Sequence, residues 1–313
     1  MKGIELSRRF FEEYGMPMLK EKFPDVLPLL AVGLVGSGSE CFGFDDETSK
    51  DHDFEAGFCI FLPDESVVDR KTEFALERAY SKLPSEFMGI KRSVLSPVGG
   101  NRHGVIRLNE FLIEKTGRDT ASLTFREWLF VPEQSLAEVT NGSLFFDGLG
   151  EFTRVREALK YMPCDVRAKK IAGELLLMGQ SGQYNYLRCV KRNELAAAQL
   201  AVFEFVKSAM HIVFLINKVY MPYYKWSFKA LRELPLLSEF YPDFEYLISS
   251  DNSEVSVKIK LQKIEDISAK IICELRAQSL TDYLGEELEG HAYSVNEKIS
   301  DFNIRNLHIL AAI

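Results

Sequence analysis

A small-residue turn, Gly36-Ser37-Gly38-Ser39-Glu40, ends an apolar run from Leu29 to Val35. Asp51-His52-Asp53-Phe54 then leads into a second apolar run, Phe58 to Leu62. Apolar runs this short, bounded by turn residues, read as buried strands. On an extended segment alternate side chains share a face, so Asp51 and Asp53 would point the same way. Two adjacent carboxylates repel each other unless a cation sits between them. Magnesium is a fitting cation, because one or two carboxylates hold it together with substrate phosphates. A glycine-serine turn supplies the complement: backbone N–H groups, a hydroxyl and no bulk. Taken singly, an acidic stretch before a strand is a common solvated loop and Gly-Ser a common turn. Their order here sets them apart.

The 313 residues suggest two domains, and 46% hydrophobic residues suffice for packed cores. A formal net charge of −8 argues against nonspecific nucleic-acid binding, yet leaves a nucleotide substrate open. Five cysteines, at 41, 59, 164, 189 and 273, form neither a disulfide framework nor a zinc spacing. The first fifteen residues alternate in charge and do not read as a secretory signal. Ala196 to Ile216 is the most apolar long stretch, but Glu204, Lys207 and His211 interrupt it. It reads as a buried helix rather than a membrane span. A reduced, cytoplasmic protein without a membrane partner is expected.

Up to about residue 150 strands and helices mix. Ile4 to Phe23 reads as an amphipathic helix, Leu27 to Val35 and Ala56 to Leu62 as strands, and Asp69 to Leu83 as a helix. Gly104 to Leu108 is a candidate third core strand, and Ser143 to Phe146 a candidate edge strand. Beyond Gly150 the pattern is helical, with Gly179-Gln180-Ser181-Gly182 read as a helix end and loop. The fold class expected is α+β: a mixed-sheet domain over 1–150, then a helical bundle over 151–313.

Gly-Ser followed by Asp-x-Asp resembles the signature of the polymerase-beta-like nucleotidyltransferase superfamily. Ser37 and Asp51 are 14 positions apart, slightly more than in its small members, and the middle residue is His52 rather than an apolar one. The string from Gly36 to Phe54 is similar to the DUF4037 group, a family of uncharacterised bacterial proteins assigned to this fold. The similarity continues through Trp128-Leu129, Asn141-Gly142, Gly182-Gln183-Tyr184-Asn185-Tyr186 and Asn217 to Trp226.

This resemblance implies transfer of a nucleoside monophosphate from ATP or another nucleoside triphosphate to an acceptor, with Asp51 and Asp53 holding magnesium. Gly36 and Ser37 would cradle the β- and γ-phosphates, and Gly38 and Ser39 would continue the turn. Superfamily enzymes place a third carboxylate on a neighbouring strand. Here Arg107 stands at the matching place and Glu110 just beyond. Glu110 reads either as the third acid or as an exposed residue favoured by a helix dipole. The segment Met221-Pro222-Tyr223-Tyr224-Lys225-Trp226 resembles one in antibiotic nucleotidyltransferases whose lysine points at the phosphates. Lys225 is therefore a nucleotide-binding candidate, or else a surface lysine among packed aromatics.

Gln183, Tyr184, Asn185, Tyr186, Arg188 and Arg192 could line an acceptor pocket, or cap a helix and bridge it to the first domain. Asp45-Asp46-Glu47 reads as a solvated acidic loop. His52-Asp53 also suits an all-helical metal phosphohydrolase, but here the pair precedes a strand. The other four histidines lack metal-ligand spacing and read as structural. No Gly-x-x-x-x-Gly-Lys or Gly-x-Ser-x-Gly is present. Two functions remain: a magnesium-dependent nucleotidyltransferase acting on a hydroxyl of a small molecule or protein, and a weakened relative that binds nucleotide or a partner for regulation.

Overall fold

Each apolar run expected to be a strand forms one; the first three are shorter than the sequence suggests, and the fourth runs one residue further, to Asp147. A computed structural model describes residues 1–48, 54–92, 102–311 and 313. Two compact units divide the chain: Met1–Leu123 with Val131–Lys160, and Thr124–Phe130 with Tyr161–Ile313.

The first unit opens with helices α1 (Gly3–Phe10) and α2 (Met16–Lys22), joined through a π turn at Phe11–Gly15. Strand β1 (Ala31–Leu34) starts later than expected, because Leu27–Leu29 is a 3-10 turn around Pro28, which has no N–H for a ladder. Then follow β2 (Cys59–Leu62), α3 (Arg70–Tyr80), a small hairpin of β3 (Glu86–Phe87) and β4 (Ile90–Lys91), β5 (Gly104–Arg107) and α4 (Leu108–Thr116). Helix α5 (Phe125–Phe130) counts with the second unit. Helix α6 (Glu133–Thr140), strand β6 (Ser143–Asp147) and helix α7 (Glu151–Leu159) complete the first.

The sheet order is β5-β2-β1-β6. Strand β1 runs antiparallel to both neighbours, whereas β2 and β5 are parallel. The sheet is therefore mixed, and the unit α+β. Both faces of β2 are covered, which is why its sequence is apolar throughout. Phe58, Ile60 and Leu62 join Phe10, Phe11, Leu76 and Tyr80 in one core. Phe61 points the other way, edge-on to Phe111 of α4 and Phe152 of α7. Each such phenylalanine contributes roughly 1.5–3 kcal/mol by leaving water. Within the first core the Tyr80 hydroxyl donates to Phe58 O at 2.8 Å and accepts from Phe58 N at 3.1 Å.

Arg107, where an acid would complete the expected set, is a structural tie. It is 1% exposed and donates to Glu73 Oε2 of α3 at 2.6 and 3.0 Å, to Pro63 O at 3.0 Å and to Val68 O at 3.1 Å. One guanidinium thus fixes the loop after β2 and the start of α3 against β5. Asp45 corrects the solvated-loop reading. It is buried, accepts from Gly3 N at 2.9 Å and lies 3.5 Å from the Lys2 ammonium. A carboxylate at the start of α1 satisfies a free amide and the helix dipole together.

In the second unit α8 (Cys164–Met178) runs through a π segment, Gly179–Tyr186, into α9 (Leu187–Lys191). The Gly179–Gly182 stretch is therefore not a helix end. Its glycines serve close packing: a Cβ on Gly182 would enter the ring of Phe205, and one on Gly179 would meet Leu288 Cβ at 3.2 Å. Phe205 belongs to α10 (Leu195–Asn217). By length and composition α10 could cross a membrane, but 61% of its most apolar window is buried, as in a core helix. Next come α11 (Tyr224–Leu231), α12 (Tyr241–Ser249), α13 (Glu254–Ala277), α14 (Leu288–Glu297) and α15 (Phe302–Arg305). Among the described residues this unit contains no strand.

Replacing Arg107 with Met should destabilise the first unit by about 3 kcal/mol in urea unfolding, because Glu73 loses its buried partner and keeps only the exposed Arg70 at 3.3 Å. Replacing Glu73 with Met as well should restore much of that loss.

Candidate functional site

The strand registers gather one set of loops at one end of the sheet. Gly33 pairs with Cys59, Cys59 with Gly104, and Leu34 with Ser143. The turn after β1 therefore lies beside the lead-ins to β2, β5 and β6. Gly36 and Gly38 take φ of +106° and +120°, which L side chains rarely adopt, so the chain can leave β1 and fold back at once. The Asn141 side chain brackets Gly36. Its Oδ1 accepts from Gly36 N at 2.9 Å and its Nδ2 donates to Gly36 O at 2.8 Å. Gly142, at φ +61°, has no room for a Cβ because Leu34 O fills the space. Arg156 of α7 closes the rear, donating to Thr140 O and Asn141 O at 2.7 Å. Burial lowers that guanidinium's pKa from its ordinary value.

With Gly36 so held, the next amides are unspent. Ser37 is exposed, and the N–H groups of Ser37, Gly38 and Ser39 have no acceptor among the described residues. Several free amides in a tight glycine turn form an anion-binding concavity. A cation stands beside it. Arg102, just before β5, donates to Ser37 O at 2.9 Å and pairs with the buried Glu40 carboxylate. That pair fills the space a Gly38 Cβ would need. His103 is 4% exposed, and its Nδ1 lies 2.7 Å from Glu55 Oε1. Gly57 permits this, since a Cβ there would meet the imidazole at 2.5 Å. The neighbouring thiols are inert packing groups: burial pushes Cys59 up to about 12 and raises Cys41 as well.

Gly36, Ser37, Gly38 and Ser39 thus form one turn, as expected. Asp51, His52 and Asp53 lie outside the described residues. Among the described residues no three His, Cys, Asp or Glu side chains form a metal-binding group. Glu110 is exposed in the first turn of α4, with Oε1 3.5 Å from Arg70 Nη2. Lys225, in the second unit, is exposed at the start of α11, its ammonium 5.1 Å from the centre of the Trp226 ring. Tyr223 and Tyr224 pack on each other beside it at 4.3 Å.

Of the polar-aromatic cluster, Gln183 and Tyr186 bond within their own unit. Gln183 bonds Glu265 at 3.0 Å and accepts from Leu288 N at 3.1 Å, and the Tyr186 hydroxyl donates to Asn252 Oδ1 at 3.1 Å. Tyr184 remains exposed with Arg188 against its ring. Arg102 and Glu55 were not foreseen as site residues. Glu55 had a readable signal, because it extends the Asp51, Asp53 alternation by one more step of two. Arg102 had none, since only the β2–β5 register brings it to the turn.

Replacing Asn141 with Ala leaves both backbone groups of Gly36 without a partner. Urea unfolding should show a loss of about 1–3 kcal/mol. Replacing Gly142 with Ala should cost at least as much, because a left-handed conformation and a carbonyl clash both oppose the new methyl.

No curated protein and no solved structure matches the chain. The matched family segment runs from α5 to α11, so it contains Asn141, Gly142 and Lys225 but not the Gly36 turn. Residues 128–227 match the family model DUF4037, described as a domain of unknown function, which is the family the sequence resembles.

Proposed function

We propose that the chain is a magnesium-dependent nucleotidyltransferase of the polymerase-beta-like fold, acting in the cytoplasm. It would move a nucleoside monophosphate from ATP or another nucleoside triphosphate to a hydroxyl of a small molecule or protein. The observation that carries this reading is the unspent amide turn Ser37–Ser39, braced by Asn141 and flanked by Arg102 at the end of β1. The mixed sheet, with this turn leaving a central strand, is in keeping with that fold.

On this reading the amides of Ser37, Gly38 and Ser39 donate to the β- and γ-phosphate oxygens, and the Ser37 hydroxyl adds a further donor. Arg102, held by Ser37 O and the Glu40 carboxylate, stands beside them. Asp51 and Asp53 would hold magnesium, which would supply charge neutralisation at the phosphates. The acceptor oxygen forms a bond to the α-phosphorus, the bond to the bridging oxygen of pyrophosphate breaks, and the hydroxyl proton passes to a carboxylate base. Glu110 is one candidate base. Glu55, held by His103 at the lead-in to β2, is the candidate that the fold adds. Lys225 would supply a further cation to the phosphates.

One observation favours a second reading, a nucleotide-binding protein of little or no turnover. The one charged side chain of β5, Arg107, is spent on Glu73, so that strand offers no carboxylate.

Titration calorimetry with ATP should detect binding that requires magnesium, and replacing Asp51 and Asp53 with Asn should abolish it. Binding and turnover unchanged in that variant would remove both aspartates from the site. Lys225→Ala should raise the apparent Kd by about tenfold; an unaltered Kd rejects its role. Pyrophosphate release with hydroxyl acceptors supports the transferase, whereas magnesium-dependent binding without release across acceptor classes supports the second reading.

A further inference from the structure

Within the second unit a cavity of about 420 Å³ opens where α8 begins and α10 ends. Tyr161, Met162, Leu215, Val219 and Tyr220 give it apolar and aromatic walls. Arg167 and Lys218 also line it, and among the described residues no carboxylate does. In a chain of net charge −8 a cavity whose described charged lining is wholly cationic is a selective feature.

Arg167 is the buried cation of this cavity. It is 8% exposed, and its described partners are neutral. Its Nη1 donates to Leu215 O at 3.1 Å and to Gln278 Oε1 at 3.4 Å. Its Nε and Nη2 donate to no acceptor among the described residues. Those two atoms form the side-on fork that matches the two oxygens of a carboxylate or phosphate. Burial also lowers the pKa of this guanidinium, as expected of a charge short of compensation. An anion in the cavity would supply it.

Two further features agree. Cys164 is the first residue of the 15-residue α8, so the positive end of that helix faces the same space. Lys218 ends α10 in the left-handed conformation, φ +57°, where glycine or asparagine is usual. The lysine is thereby held at the rim.

We propose that this cavity binds a small organic oxyanion, a carboxylate or phosphate carried on an aromatic or apolar body. The fork of Arg167 and the ammonium of Lys218 take the charged group, and the tyrosine-lined walls take the body. The site is independent of the nucleotide reading, and all its lining residues fall within the segment matched to the family.

The chain carries its own reporter. Cys164 is exposed and lines the cavity, whereas Cys273 is exposed without lining it. Alkylation of the full chain by iodoacetamide, read at each cysteine by mass spectrometry, should slow at Cys164 in the presence of phenyl phosphate and not at Cys273. Benzoate in place of phenyl phosphate separates carboxylate from phosphate preference, and protection by either supports the site. Phenol, which lacks the charge, should not protect. Arg167→Lys keeps a charge but removes the fork, and Lys218→Asn removes a charge while tolerating the backbone. Each should raise the half-protecting concentration by about tenfold. Lack of protection by both anions, equal slowing at Cys164 and Cys273, protection by phenol, or protection unchanged in both variants would overturn the proposal.

Discussion

Two hydrogen bonds between the Asn141 amide and the backbone of Gly36 decide how the first unit can present a site at all. A glycine with φ near +100° is free to wander, and an anion-binding turn must not. Asn141 resolves this by acting as donor and acceptor at once on one residue. Its own position is fixed by Gly142 pressed against Leu34 and by Arg156 on the carbonyls behind it. Rigidity thus passes from α7 through the start of β6 to the turn, and the next three amides can remain unpaired without collapsing onto a neighbour.

The strand cores could be read from the sequence because hydrophobicity wrote them plainly. Both faces of β2 are covered, so Cys59 to Leu62 is an unbroken apolar run, and the register with β5 follows from a similar short run after Gly104. Where local chemistry competes with tertiary packing, the sequence misleads. Gly179 and Gly182 carry the usual mark of a helix end, yet they lie inside a continuous helical path because Phe205 and Leu288 need the space a side chain would occupy. Asp45 carries the mark of a solvated loop, yet it holds the first turn of a helix more than forty positions earlier.

The candidate site was legible in part for the same reason. Gly36 to Ser39 announce themselves by composition, since only small residues allow such a turn. Arg102 and His103 join it solely through strand pairing, which short polar segments do not encode locally. Arg107 shows the converse. A charged residue in a predicted strand invites a chemical reading, but its guanidinium is consumed by Glu73 and two carbonyls. Burial with complete hydrogen bonding distinguishes a structural charge from a functional one. By that measure Arg167, with half its fork unspent, belongs to a different class.

The β6–β1 pairing also bears on how the chain comes to be folded during synthesis. Strand β1 is internal, yet one of its neighbours begins 109 residues after it ends, beyond a segment that counts with the other unit. Until Ser143 to Asp147 leave the ribosome, β1 must wait as an apolar edge with unpaired backbone groups, the kind of surface that recruits another strand. Contacts so distant in sequence form slowly. The interval between making Leu34 and making Leu144 is therefore the period in which this chain is most open to mispairing with its own copies.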